Sequence, residues 1–211
     1  MKGKTFKEIA STLALLFLSS CATTGISSIA NPKFAEKSFK KIVIAAPFSD
    51  ISLRKQTEQE FTCQFIMTSA LAIPSLDVIP PFKDYSEPEI LEILRKNRID
   101  AVFVVALTDF WMSKTYIPKS SSTSGTVSAF GGSLHYQSYA QEHGGYYVNK
   151  PRLEFDVRLF DVESGEAVWM ATSLTKGNAF AHYKTLCISL AGRVVDKLIE
   201  DNIIGKIESR P

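Results

Sequence analysis

The chain has 211 residues, with 24 Lys and Arg against 22 Asp and Glu, and three of the lysines lie within the first seven residues. Beyond residue 20 the two signs balance at 21 each, so the sequence lacks the basic excess typical of a nucleic-acid-binding protein. We therefore predict no nucleic-acid partner. The 191 residues after position 20 are enough for one domain with a sizeable core.

The amino-terminal residues have the pattern of an export signal. Lys2, Lys4 and Lys7 precede an uncharged run rich in Ala and Leu over residues 9–18. That run is shorter than the ~20 apolar residues that a transmembrane helix needs. A basic segment, a short apolar run and small residues in this order are typical of a secretory signal peptide, which we predict over residues 1–20.

Leu18, Ser19, Ser20 and Cys21 follow the apolar run, and they resemble the lipobox of bacterial lipoproteins. The resemblance implies cleavage between Ser20 and Cys21 and acylation of Cys21 by fatty acids such as palmitate. Two or more acyl chains make a stable anchor, whereas one chain holds only marginally. Ala22 follows instead of an aspartate, so the resemblance favours the outer membrane, with the domain facing the periplasm. The alternative is an ordinary signal peptide followed by a chance cysteine.

Residues 21–39 show little apolar periodicity and contain Thr, Gly, Ser and an Asn-Pro pair. We predict a lipidated amino terminus and a flexible tether, which would reach about 60 Å when fully stretched at ~3.3 Å per residue.

Residues 40–204 are predicted to form a single domain, followed by a tail over residues 205–211. Apolar periodicity and the positions of Pro and Gly predict a strand over 41–46, a helix over 53–70 with Phe61, Phe65 and Ile66 on one side, and a strand over 76–79. A helix from the capping box Ser86–Glu89 to about Asn97 and a central strand over 101–107 are predicted next. The domain is predicted to end with a hairpin of strands 153–159 and 167–175 and a helix over 180–201. The order β-α-β-α-β-(long insertion)-β-β-α predicts an α/β (α+β) fold, with a single mixed sheet of about five strands and helices packed on it.

The carboxyl-terminal part of the domain carries a family resemblance. The stretch from Lys150 to Leu198 contains Pro-Arg-Leu-Glu-Phe-Asp-Val-Arg-Leu-Phe-Asp, a Ser-Gly turn, a Val-Trp strand and Gly-Asn-Ala-Phe-Ala before the last helix. It resembles a family of uncharacterised bacterial envelope lipoproteins. At fold level the domain is similar to the periplasmic domain of curli secretion lipoproteins and to the TolB amino-terminal domain. These motifs identify a scaffold, which does not settle the function.

The insertion over residues 111–150 is the part that such a scaffold does not need. Long insertions in compact domains are usually functional or disordered, and Tyr, Ser and Gly together are typical of recognition surfaces. The candidates for partner contact are Tyr136, Tyr139, Tyr146 and Tyr147. Channels of the curli type build their pore from inserted hairpins. Here, however, one face of such a strand would carry His135, Gln137, Gln141 and His143, and the other face would carry Glu142. Neither face therefore suits lipid.

Other chemistry-bearing residues have weak patterns. Cys63 and Cys187 lie on predicted helices, where they either form a disulfide or pack as small apolar side chains. His135, His143 and His182 lack zinc-site spacing, so we predict no metal. No Gly-x-Ser-x-Gly, phosphate loop or dinucleotide motif is present, so we predict no cofactor and no enzymatic activity.

Three functions are compatible with these patterns. The first is a non-enzymatic, lipid-anchored cell-envelope lipoprotein that binds another envelope protein or assembles with itself. The second is an accessory or pore-forming component of an outer-membrane secretion system of the curli type. The third is an enzyme of unrecognised class.

Overall fold

A computed structural model describes residues 22–130 and 133–207, with side chains for residues 22–120 and 144–207. The signal predicted over residues 1–20 and the acylation predicted at Cys21 lie outside the described residues. The strands are β1 Ala22–Ala30, β2 Lys41–Ala45, β3 Leu71–Pro74, β4 Ala101–Ile117, β5 Ser120–Phe130, β6 Ser133–His143, β7 Tyr146–Asp161 and β8 Ala167–Gly177. The helices are α1 Ile51–Phe65, α2 Ser75–Val78, α3 Glu87–Lys96 and α4 Tyr183–Glu200, and a 3₁₀ turn covers Pro32–Phe34.

Six strands form one mixed sheet in the order β1-β8-β7-β4-β2-β3, which confirms the predicted fold class. β2 runs parallel to both β3 and β4, whereas β4, β7, β8 and β1 pair antiparallel. β5 and β6 pair only with each other, in a separate two-stranded ladder. No helix within the described residues is long and apolar enough to cross a membrane.

The main core lies between the sheet and the helices α1 and α4. Its centre is an aromatic cluster in which the Phe103 ring lies 5.6 Å from Phe61, 5.9 Å from Phe65 and 6.4 Å from Trp169, measured between centroids. A smaller apolar cluster on the other face of the sheet joins Val43 of β2 to Leu94 of α3. The predicted strand over 41–46, the central strand and the hairpin of β7 and β8 are confirmed.

The predicted capping box at the start of α3 is also confirmed. The Glu89 carboxylate accepts a hydrogen bond from the Ser86 backbone N–H at 2.8 Å, and Pro88 lies in the first turn. The Lys83 ammonium at 2.8 Å and the Ser86 donors lower the pKa of Glu89 to about 2.

The predicted strand over 76–79 is wrong. The strand is β3, five residues earlier, and it ends at Pro74, after which α2 begins. The Leu76 backbone N–H bonds the Glu58 carboxylate at 3.0 Å, which fixes a helical turn at this point. The predicted helix over 53–70 ends at Phe65, so Ile66 is exposed and does not belong to the core.

The predicted tether over residues 21–39 is also wrong for the part that the structure describes. Residues 22–30 form the edge strand β1, paired with β8 from Ala22–Gly177 to Ala30–Trp169. Polar contacts hold it: the Thr24 hydroxyl lies 3.0 Å from that of Ser189 on α4, and the Ser28 hydroxyl donates to Asp201 at 2.5 Å. Because small polar residues pack this strand, its sequence lacks the apolar signal of a buried strand.

The insertion over residues 111–150 and the described part of the carboxyl-terminal tail also form hydrogen-bonded pairs. β4 and β7 extend the main sheet into residues 111–150, and β5 and β6 form the rest of the insertion. The predicted carboxyl-terminal tail pairs in part with the segment after α1, since the Ile207 N–H donates to the Met67 carbonyl at 3.1 Å.

Candidate functional site

The candidate site is a two-stranded extension of β4 and β7, which we call the ribbon: residues 110–117 and 146–153. Its ladder runs from the pair Phe110–Leu153 to the pair Ile117–Tyr146, after a register shift between Leu107 and Asp109. Such a bulge increases the local twist and redirects the strand. Leu153 is buried in the main core and Pro151 is buried as well, whereas the other side chains farther along the ribbon are exposed or half-buried.

The ribbon begins where β1 begins. Ala22 pairs with Gly177, and the neighbouring pairs Lys176–Arg152 and Pro151–Met112 extend this level across β8, β7 and β4. We call this end of the sheet, where β1 begins and β8 ends, the Ala22 end. Close packing marks it, since a Cβ on Gly177 would lie 2.6 Å from Ala181 and 2.9 Å from Pro151. The rest of the ribbon therefore projects beyond the first residue of β1.

Large apolar and aromatic side chains are exposed along the ribbon. Tyr116 and Tyr147 are cross-strand partners whose ring centroids lie 5.1 Å apart, and Tyr147 is 70% exposed. Aromatic pairs of this kind stabilise a strand pair and present a broad contact area. The other exposed members are Phe110, Trp111, Met112 and Tyr146.

The far end of the ribbon is fixed by two glycines. Gly144 and Gly145 have φ values of 94° and 76°, and a Cβ on Gly144 would lie 2.0 Å from the Pro118 carbonyl oxygen. The Gly145 N–H donates to the Ile117 carbonyl at 2.7 Å. Beyond this junction the chain enters the separate β5–β6 ladder, which we call the outer hairpin. Glycine is required here because a side chain has no room and the φ values are left-handed.

The structure brings together only some of the predicted contact residues. Tyr146 and Tyr147 lie on the ribbon and are exposed. Tyr136 and Tyr139 lie on β6, opposite Val127 and Ser124 of β5, and their side chains lie outside those described.

The predicted alternatives for the two cysteines resolve to free thiols. Cys63 is exposed on α1, whereas Cys187 is buried on α4, and no disulfide joins them. Burial raises the pKa of the Cys187 thiol to about 12, which leaves it inert as a nucleophile. Cys187 thus packs as a small apolar side chain.

In the described part of the chain, no histidine belongs to a cluster of side chains that could bind a metal. His182 is exposed at the amino-terminal cap of α4. No cluster of three or more His, Cys, Asp or Glu side chains suited to a metal occurs among the described residues. The absence of a metal stays a prediction, and the side chains of His135 and His143 lie outside those described.

Two open clefts were not predicted from the sequence. One, of about 400 Å³, lies on β1 and β8 and includes Gly25, Glu154 and Thr172. The other, of about 340 Å³, lies beside α1 and α2 and includes Lys55 and the exposed Phe82. His182 lines neither cleft.

Sequence reasoning also missed a buried carboxylate on α1. Glu58 is fully buried, and its carboxylate accepts hydrogen bonds from Arg54 Nε at 3.0 Å, the Ser75 hydroxyl at 2.6 Å and the Ala46 N–H at 3.1 Å. It ties α1 to the ends of β2 and β3. The sequence signal for this buried carboxylate is the spacing of Arg54 and Glu58, which places them on one helix face. The same spacing is equally typical of a solvent-exposed ion pair.

The comparisons with known proteins give fold-level likenesses. No protein-family model matches the chain, and no curated protein does. The PelC dodecamer from Paraburkholderia phytofirmans is 16% identical, with 83% of this chain and 97% of that chain covered and a TM-score of 0.49. Lipoprotein GNA1162 from Neisseria meningitidis is 14% identical, with 76% and 99% covered and a TM-score of 0.42. Likenesses at this level decide nothing about the function of this chain.

Proposed function

We propose that this chain is a non-enzymatic lipoprotein of the bacterial cell envelope, anchored by acyl chains on Cys21. Its domain binds another envelope protein or assembles with itself, on the periplasmic side of the outer membrane. The observation that carries the proposal is that the lipobox-like segment ends one residue before β1, so that the folded domain starts directly at the predicted acylation site.

The anchor is tested by metabolic labelling with palmitate. The wild-type protein should incorporate label, and Cys21→Ser should abolish the incorporation. The matched control is Cys63→Ser, because Cys63 is an exposed thiol of the same chain that no lipobox precedes. A wild-type protein that takes up no palmitate would refute the anchor, and so would equal labelling of the Cys21→Ser variant.

The outer hairpin is the proposed contact surface for a protein partner, with Tyr136 and Tyr139 as contact residues, and Tyr146 and Tyr147 of the ribbon follow it directly in the chain. Exposed tyrosines give a large contact area at a small cost in side-chain entropy. The outer edge of β1, an edge strand of the sheet, is a further surface for assembly. It has nine residues without a charge or a proline, whereas the opposite edge strand β3 has four residues and ends at Pro74.

The contact surface is tested by removing the outer hairpin. Residues 118–145 are replaced by Asn-Gly, which can close a two-residue turn because Ile117 and Tyr146 are direct partners. The shortened protein should keep its thermal unfolding transition and lose its crosslinked partners in intact cells. An unchanged set of crosslinked proteins would exclude the hairpin as the contact surface.

One observation favours a second function, an accessory or pore-forming component of a secretion system of the curli type. β5 and β6 have eleven residues each and extend from the ribbon, and a membrane-spanning strand needs about 9–11 residues. This function predicts large rings of the detergent-solubilised lipoprotein, visible by electron microscopy. A monodisperse particle of monomer or dimer size would exclude it.

A further inference from the structure

The exposed aromatic side chains are concentrated at the Ala22 end. Among the described residues seven large aromatic side chains are exposed, and six of them lie on the ribbon or just after β8. These six are Phe110, Trp111, Tyr116, Tyr146, Tyr147 and Phe180. The seventh, Phe82, lies in the loop after α2. Aromatic rings, and Trp and Tyr above all, are the side chains enriched where a protein meets the headgroups of a bilayer.

The same end is basic. Residues 113–118 and 144–152 contain Lys114, Lys150 and Arg152 and no acidic residue. The chain after residue 20 is neutral as a whole, so this is a local excess of three positive charges. Basic side chains next to exposed apolar ones attract the phosphate groups of anionic lipids.

The predicted acylation site lies beside this surface. Cys21 is joined to Ala22 by one peptide bond, which places its Cα about 3.8 Å from that of Ala22. Ala22 is already paired with Gly177 in the sheet. No flexible segment separates the acyl chains from the domain, so the Ala22 end must stay near the lipid surface.

We propose that the ribbon and Phe180 form a second membrane contact, in which the aromatic rings sit at headgroup level and the basic side chains meet anionic lipid phosphates. The proposal rests on the acylation of Cys21 put forward above. It names lipid as the ligand of Tyr146 and Tyr147, while the protein partner is left to the outer hairpin.

Exposed aromatic side chains lie on both faces of the ribbon, which favours lipid over a protein partner. Phe110 pairs with Leu153 and lies on the helix-facing side of the sheet, whereas Trp111 pairs with Arg152 and lies on the opposite side. Both are exposed. A protein docking on one face would leave the other apolar face in water, whereas a bilayer surface surrounds both.

Tryptophan fluorescence tests the proposal, because the described residues include two tryptophans in opposite environments. Trp111 is 38% exposed on the ribbon and Trp169 is 1% exposed in the core. The full acylated protein is purified and reconstituted into phosphatidylethanolamine and phosphatidylglycerol vesicles that contain brominated phosphatidylcholine. Bromine should quench the emission of Trp111, and Trp111→Phe should remove this quenching because only Trp169 emits.

A matched variant moves the fluorophore along the same sheet. Met170 is 39% exposed, close to the value for Trp111, but lies seven residues along β8 from the Ala22 end, or about 23 Å. The double variant Trp111→Phe with Met170→Trp should therefore show no quenching. Equal quenching of this variant and of the wild type would overturn the proposal, because the domain would then lie on its side.

The mass of the purified protein separates this proposal from the one on which it rests. An acylated protein that floats with the vesicles but shows no quenching of Trp111 overturns the membrane contact alone. A protein whose mass shows no acyl group overturns the anchor and the membrane contact with it.

Discussion

Glu58 is an acidic side chain with no exposed surface, held by four hydrogen bonds from α1, β2 and the turn after β3. Glu58→Gln replaces one acceptor oxygen by an amide group that faces donors. We expect the free energy of unfolding to fall by about 2–4 kcal/mol, since a buried donor and the Arg54 charge lose their partner. Urea denaturation of the two proteins measures the difference.

The control for this prediction is two residues away on the same helix. Glu60 is partly exposed, and its carboxylate lies 3.7 Å from Lys184 Nζ. Glu60→Gln should change the stability by less than about 1 kcal/mol, as for other surface ion pairs. Equal effects of the two substitutions would show that the Glu58 network contributes nothing special.

Asp201 gives the fold a defined pH dependence. Burial by itself would raise the pKa of Asp201, but Lys197 at 2.8 Å and the donors Ser28 and Trp169 outweigh it and hold the pKa below its usual value. A carboxyl group of this kind stabilises the fold above its unfolded pKa of about 3.9. That contribution is lost as the pH falls through the folded pKa.

We therefore expect Asp201→Asn to lower the unfolding free energy at pH 7 by about 1–2 kcal/mol. The gap between variant and wild type should narrow as the pH falls below about 4. Urea denaturation at pH 7 and at pH 3 measures both values. The exposed Asp196 on the same helix is the control, and Asp196→Asn should leave both unchanged. A gap that stays constant with pH would refute the assigned role of the Asp201 charge.

The residues of the candidate site differ in how far the sequence could identify them. Tyr146 and Tyr147 were predicted as contact residues from composition alone, and the structure places both on the surface. The exposure of Trp111 was not predictable from the sequence, because it depends on where the helices stop covering β4. The burial of Glu58 was not predictable, because helical spacing does not show which other elements pack over the helix.

At the scale of elements, β1 provides a direct test of the strand that the sequence did not predict. Ile26 packs against the main core, whereas Ile29 lies on the opposite face and is exposed. We expect Ile26→Ala to lower the unfolding free energy by about 1–2 kcal/mol because it is partly buried. Ile29→Ala should change it by less than about 0.5 kcal/mol. If residues 22–30 were a tether, thermal and urea unfolding would not distinguish the two variants.

Elements with strong apolar patterns were predictable. β2, the middle of β4, and the pair β7 and β8 carry alternating or continuous apolar residues. Leu190, Val194 and Leu198 recur at helical spacing on α4, and they are buried. β1 was not predictable, because it is held by hydrogen bonds of the Thr24 and Ser28 hydroxyl groups with β8, α4 and the residue that follows α4. Such contacts depend on residues about 150–170 positions away, which local patterns do not include.

At the scale of the whole molecule, the proposed membrane contact of the ribbon depends on the direct junction between Cys21 and β1. A Gly-Ser linker of 20 residues inserted between Cys21 and Ala22 would have an end-to-end distance of about 25 Å. The anchor would be kept, but the effective concentration of the ribbon at the lipid surface would fall. We expect a normal unfolding transition, continued flotation with vesicles and weaker quenching of Trp111 by brominated lipid. The same linker placed after Ile207, beyond the last described hydrogen bond with the segment after α1, should leave the quenching unchanged. If the linker after Cys21 left it unchanged too, the ribbon would bind lipid through its own affinity, and the short junction would have no part in its orientation.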